Sequence, residues 1–170
     1  HLLQGFDGYT LIIAGDMPLL TQETVAAMVD AAAAGNYACT MLTAELDNPY
    51  GYGRILRNEF GDVTAIVEEK DASEEQRAIC EVNASCYCVC TPLLLECLKE
   101  LNPANAQGEY YLTDIVGILN AKGEKVGAYV AADARECMGV NDRAQLAQCA
   151  EILRGRIASG HMKNGVSMVD

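Results

Sequence analysis

Tryptophan is absent from the 170 residues, and Phe (2), His (2) and Pro (4) are scarce. The missing Trp excludes nothing. The shortage of His excludes more. His1 is terminal and His161 lies in the last helical segment or tail, which leaves no Ser-His-Asp arrangement and no general-base histidine. No uninterrupted apolar stretch approaches the ~20 residues that span a bilayer. The opening HLLQGFDGYT lacks the basic region and apolar core of a signal peptide. Neither G-x-x-x-x-G-K-S/T nor G-x-G-x-x-G occurs, so there is no P-loop and no dinucleotide fingerprint. Basic residues are also few. Lys and Arg number 12 against 24 Asp and Glu, for a net charge of -12. That balance disfavours a nucleic-acid partner and an anionic membrane. It admits a phosphorylated small molecule, because Mg²⁺ can bring the positive charge.

Cysteine is plentiful, at 8 residues, yet no C-x₂₋₄-C turn with further ligands offers a zinc site. Cys86, Cys88 and Cys90 alternate along an apparent strand and share one face, the behaviour of small buried hydrophobes. Free, reduced thiols in a cytoplasmic protein are expected. Hydrophobic residues make up 51% of the chain, which suits one folded domain.

Strand-like and helix-like segments alternate, which predicts an α/β fold. A strand at Leu11–Ala14 reads as buried and parallel. Thr21 caps a helix with a stripe of Val25, Met28 and Val29, ended by Ala34-Gly35-Asn36. Tyr37–Ala44 reads as a strand. Arg54–Arg57 and Val63–Glu69 form a small antiparallel excursion. Ser73 caps a short helix within Asp71–Ile79, and Val82–Val89 is the cysteine-bearing strand. Thr91 and Pro92 start a helix over Leu93–Leu101. A helix over Tyr110–Ala121 and a strand over Val126–Val130 follow. The last helix covers about Arg143–Ser159, with a stripe of Leu146, Cys149, Ile152, Leu153 and Ile157. Val166–Val169 reads as a further strand without an obvious partner.

Five positions can carry chemistry. Asp16 follows an apolar strand and Gly15 at once. Ligands bind at the carboxyl ends of strands in open α/β sheets, and a carboxylate there can hold a metal against phosphate. Capping a turn is the alternative. Gly53, in Gly51-Tyr52-Gly53-Arg54, lets backbone approach a ligand, or merely turns a hairpin. Glu68, at a strand end, can accept bonds from sugar hydroxyls or face water. Asn83 sits in an apolar segment and needs partners for donor and acceptor alike. Those partners are backbone groups or a ligand. In Gly139-Val140-Asn141-Asp142-Arg143, Asn141 or Asp142 can cap the last helix, while an Asn oxygen is also a competent Mg²⁺ ligand.

Taken in order, these segments resemble one family, the pyrophosphorylase (uridyltransferase) domain of bacterial bifunctional enzymes that make UDP-N-acetylglucosamine. The matching motifs are Gly15-Asp16-x-Pro18-Leu19, Gly51-Tyr52-Gly53-Arg54, Ile66-Val67-Glu68-x-Lys70-Asp71-Ala72, Glu75-Gln76-Arg77, Glu81-x-Asn83, Asn105 through Asp114 (NAQGEYYLTD), and Gly139-Val140-Asn141-x-Arg143 with Gln145-Leu146-Ala147. After Asn83 the family has Thr-Gly where this chain has Ala84-Ser85.

The resemblance implies a partial three-layer, mostly parallel nucleotidyltransferase (Rossmann-like) sheet over residues 1–142. Residues 143–170 are then a connecting helix and tail toward a left-handed β-helix domain that is absent. It implies Mg²⁺ on Asp16 and Asn141, with Asp16 catalytic and Asn141 also touching substrate. The acetylamino sugar lies near Gly53, Glu68 and Asn83. The implied substrates are UTP and N-acetylglucosamine 1-phosphate, in a cytoplasmic enzyme serving cell-wall synthesis, with a homotrimer for the full-length protein. The family's opening Gly-rich, triphosphate-gripping segment is missing here, so the isolated chain is expected to be inactive and monomeric or weakly self-associating. A nucleotidyltransferase for another sugar phosphate or base, and a non-catalytic remnant or interaction module, are the alternatives.

Overall fold

In the computed structural model of the chain, which describes residues 2–168, the alternation of strands and helices builds one sheet covered on both faces. The strands are β1 (Tyr9–Ile13), β2 (Cys39–Glu45), β3 (Arg54–Arg57), β4 (Val63–Val67), β5 (Glu81–Cys90) and β6 (Val126–Val130). The helices are α1 (Gln22–Gly35), α2 (Glu74–Arg77), α3 (Thr91–Glu100), α4 (Asp114–Ala121) and α5 (Arg143–Lys163). A 3₁₀ turn spans Ala134–Cys137.

β5 organises the sheet. One of its edges carries β2 from Glu81 to Val89, and the other carries β1 at Cys86–Cys90 and β3 at Val82. The order is β4-β3-β5-β2-β6, with β1 on β5. The antiparallel β3–β4 excursion is present as expected. The expectation of a mostly parallel sheet needs correction in its pairings. β1, β2, β3 and β6 point one way, but β5 runs against them, and only β2–β6 is a parallel pair. A long run of small apolar residues such as Val82–Val89 reads the same in either direction, because burial on both faces erases the alternation.

Two apolar layers flank the sheet. On one face Met41, Tyr87 and Val89 meet Leu94 and Cys97 of α3 and Ile115, Val116 and Leu119 of α4. On the other, Leu42, Cys86 and Cys88 meet Met28 and Ala32 of α1 and Cys137 of the 3₁₀ turn. Cys86 and Cys88 thus share a face, as their spacing predicts, and all 8 cysteines are free.

Local rules account for most boundaries. Thr21 accepts a bond from the Thr24 amide, and Asn36 ends α1 in the left-handed region at φ 49°. Ser73 and Gln76 form a reciprocal capping box on α2. Five expectations change. β1 is not buried on both faces: Ile12 packs against the core, while Leu11 and Ile13 are 41% and 45% exposed, since neither apolar layer reaches them. The inner face of α1 is Thr24, Met28 and Ala32, and Val29 is exposed. Thr91 makes no cap on α3 but bonds the Thr10 hydroxyl at 2.7 Å. In α5 only Cys149 of the expected stripe is buried. Val166–Met168 form no strand, and Val169 lies outside the described residues.

Candidate functional site

The sheet has a gap, and the site lies in it. β1 leaves β5 at Cys86 and β3 joins the same edge at Val82, so Asn83, Ala84 and Ser85 have no strand beside them there. Across the other edge, β2 advances from Met41 to Thr43 while β5 advances from Tyr87 to Asn83. β5 therefore carries a bulge at this point. Two backbone bonds frame the gap. The Asn83 amide donates to the Gly53 carbonyl at 2.8 Å, and the Ala14 amide donates to the Ser85 carbonyl at 3.3 Å.

The cleft above it has a volume of about 370 Å³ and is lined by Asp16, Gly53, Glu68, Asn83 and Asn141 among others. All five residues singled out in the sequence are brought together. They arrive from the end of β1, the loop before β3, the end of β4, the middle of β5 and the turn before α5.

Asp16 and Asn141 sit side by side around Gly139. A Cβ added there would lie 3.4 Å from Asp16 Oδ2 and 3.8 Å from Asn141 Nδ2. The Val140 amide donates to the Asp16 carbonyl at 2.9 Å and ties the two loops together. The cap of α5 is Asp142, whose Oδ1 accepts from the Gln145 amide at 2.8 Å. That settles which of the two neighbours caps the helix and leaves the Asn141 side chain to the cleft. The Asn141 amide in turn donates to Gln145 Oε1 at 2.6 Å.

In the loop before β3, Gly53 allows a close approach. A Cβ there would lie 2.9 Å from Ile66 Cγ2 and 3.4 Å from Glu68 Oε2. Glu68 Oε1 accepts from the Thr113 hydroxyl at 3.0 Å. Asn83 is 5% exposed. Its Nδ2 donates to the Tyr87 hydroxyl at 2.7 Å and its Oδ1 accepts from the Ser85 amide at 3.1 Å. One donor and one acceptor are thus met inside β5, and one of each remains for a ligand.

Behind the cleft is an ion pair that sequence reading missed. Arg54 is 1% exposed, and its Nη2 lies 2.7 Å from Glu69 Oε2. The same Glu69 oxygen accepts from the Gly51 amide at 3.1 Å, and Arg54 also donates to the Tyr52 carbonyl. The Arg54 hydrogen bond and the Gly51 amide hold the Glu69 carboxyl below its usual range. The pair pins the loop that carries Gly53. Gly-Tyr-Gly-Arg was visible in the sequence, but that Arg54 turns inward to grip its own loop was not.

The donor set fits a small hard cation. The Asp16 carboxylate and the carboxamide of Asn141, whose Nδ2 is its atom nearest a Cβ added at Gly139, line the same cleft, and their oxygens would be the ligands. Among the described residues there is no group of three or more His, Cys, Asp or Glu to make an all-protein cage. Mg²⁺ is commonly held by one or two carboxylates while substrate phosphates and water complete its octahedron.

The mixed α/β architecture has a counterpart among solved structures. The structure matches, with a TM-score of 0.64 over 87% of this chain and 55% of the other, a crystal structure assigned as a glucose-1-phosphate thymidylyltransferase from Bacillus anthracis in complex with sucrose. The sequences there are 18% identical, so that likeness speaks for the fold. The chain is 49% identical over 169 residues to the bifunctional protein GlmU of Streptococcus gordonii, and 50% identical over 168 residues to that of a Geobacillus species. Each match covers 99% of this chain and 37% of the relative. By sequence the chain is similar to the GlmU proteins along nearly its whole length, and it spans about 37% of theirs. No family profile matches it. Among the described residues no helix is long and apolar enough to cross a membrane.

Proposed function

We propose that this cleft is the nucleotide-sugar half of a uridyltransferase site. The reaction joins UTP and N-acetylglucosamine 1-phosphate to give UDP-N-acetylglucosamine and pyrophosphate. The observation that carries the reading is the convergence of Asp16, Gly53, Glu68, Asn83 and Asn141 on one cleft at a gap in the sheet. In the proposed step a phosphate oxygen of the sugar phosphate attacks the α-phosphorus of UTP. The bond to the β-phosphate oxygen breaks, and pyrophosphate leaves. The nucleophile is already ionised, so the scarcity of histidine is no obstacle.

Asp16 and Asn141 hold the cation, and the backbone bond from Val140 to Asp16 keeps the two loops in step. Bound there, Mg²⁺ supplies charge stabilisation on the phosphate oxygens. Glu68 and Asn83 accept and donate to the sugar, and Gly53 keeps its loop close to Glu68. The residues position the substrates and stabilise developing charge. Because the chain spans about 37% of its relatives, the proposal is that it turns over little by itself. Turnover returns when the upstream segment of such a relative is joined to it.

The test is a steady-state assay of pyrophosphate release by that extended protein. Asp16→Ala should lower kcat by about 10²–10³, the cost of losing one transition-state stabiliser. Glu68→Ala should mainly raise KM for the sugar phosphate, because its contact is made equally in ground and transition states. Unchanged turnover after Asp16→Ala would return Asp16 to a turn-capping role. No turnover with any nucleotide and sugar phosphate would favour a non-catalytic module.

A further inference from the structure

Two residues other than glycine have positive φ among the described residues, Asn36 and Ser85. Asn36 is unremarkable, since it ends a helix and Asn takes the left-handed region readily. Ser85 is different. It has φ 52° in the middle of β5, a strand whose neighbours on either side are buried. A serine there costs of order 1 kcal/mol and persists only where its surroundings impose it.

Those surroundings are the gap between β1 and β3. With no strand beside it, the Ser85 amide donates to Asn83 Oδ1 at 3.1 Å, and its carbonyl accepts from the Ala14 amide at 3.3 Å. Both backbone groups are used, and the residue is exposed. It lines the main cleft beside Glu68 and Asn83, and also a second, more apolar cleft formed by Ile12, Ile13, Tyr87, Tyr110 and Leu112. Ala14, Glu68 and Ser85 are shared by both, so the two clefts meet at this serine.

We propose that the Ser85 hydroxyl hydrogen-bonds the sugar end of the nucleotide sugar and makes Ser85 a specificity-determining residue. This rests on the nucleotide-sugar reading of the cleft and deepens it. A serine hydroxyl both donates and accepts, which suits a sugar hydroxyl or an acetamido group. It lines the cleft together with Glu68 and Asn83, the two residues assigned to the sugar, and its amide is bonded to Asn83 Oδ1. The backbone conformation would be relaxed by glycine, and what serine adds is the hydroxyl.

The test is a ¹⁵N chemical-shift titration of the chain, with Ser85→Ala and Ser85→Gly, in Mg²⁺. UDP-N-acetylglucosamine and UDP are titrated separately. Ser85→Gly is certain to tolerate the local backbone, which keeps the experiment interpretable. Both variants should bind the nucleotide sugar about fivefold more weakly, the loss expected for one neutral hydrogen bond. Both should bind UDP with unchanged affinity. Wild-type affinity for the nucleotide sugar in Ser85→Gly would overturn the proposal and leave the cleft reading standing. An equal loss for both ligands would also overturn it, because that pattern marks a general distortion. Where the chain alone responds to neither ligand, the same titration is read on the extended protein used above, and a wild-type extended protein that responds to neither would overturn the nucleotide-sugar reading and this proposal together.

Discussion

Asn141 and Asp142 illustrate how adjacent polar residues divide two jobs. The Asp142 carboxylate caps α5, and this anion at a helix N-terminus also meets the favourable end of the helix dipole. Asn141 is thereby left to the cleft, next to Asp16. Cysteines show the opposite economy, since most act as small apolar fillers. Burial raises the Cys39 and Cys137 thiols to about 12 and Cys86 to about 11, from an ordinary value of 9.0. A raised folded value means stability that is present below pH ~9 and lost as pH rises toward the folded values. Thiol titration of the native protein near pH 8 should find Cys80 fast, Cys90 slower and the six buried cysteines silent. In denaturant all 8 should react. A shortfall in denaturant, or buried thiols reacting as fast as Cys80, would refute the assignment of structural thiols.

At the scale of elements, α5 is held by few contacts. Only Cys149 is buried in its 21 residues. Arg156 reaches back to donate to the Leu19 carbonyl at 2.7 Å and to Asp133 at 3.2 Å. Bonds from Arg135 hold the Asp133 carboxyl at about 2, down from an ordinary 3.8. A depressed folded value means a contribution present above pH ~4 and lost as pH falls toward 2. Amide hydrogen exchange should therefore show α5 losing protection between pH 4 and 2 relative to the sheet, and Asp133→Asn should remove that step. Equal acid loss in α5 and β2 would show that the anchor plays no such part.

Elements with strong local signals were legible in the sequence. Thr21 and Ser73 announced their helices, Arg54–Arg57 its strand, and the glycines and Asn36 their turns. What was not legible was partnership. The direction of β5 depends on which strand lies beside which and the exposure of β1 on what covers it, and apolar runs such as Leu11–Ala14 do not encode that. The outer stripe of α5 misled for a similar reason: periodicity says that a face is apolar, not that anything covers it. Five residues of the candidate cleft lining were legible one by one, through the motifs around Asp16, Gly53, Glu68, Asn83 and Asn141. The setting of the cleft, a bulge with Ser85 at φ 52°, was not, since serine carries no sequence signal for the left-handed region. The inward turn of Arg54 was hidden as well, because burial of a charge follows from its partner Glu69 rather than from its own neighbours in the chain.

At the scale of the whole molecule, two helical layers hold the sheet while its central gap gathers five site residues from five separate segments. The net charge of -12 makes an anionic ligand unwelcome unless a cation comes with it. In the function we propose, Asp16 and Asn141 would hold a divalent ion, and its charge would offset the phosphates of a nucleotide sugar. Substoichiometric Mn²⁺, standing in for Mg²⁺, can be added to the ¹⁵N-labelled chain with UDP-N-acetylglucosamine, and paramagnetic line broadening read amide by amide. The account predicts broadening centred on Asp16 and Gly139–Asn141, strengthened by the nucleotide sugar and removed by Asp16→Ala. Sharp resonances at those positions, with broadening scattered over other acidic surface residues, would contradict it.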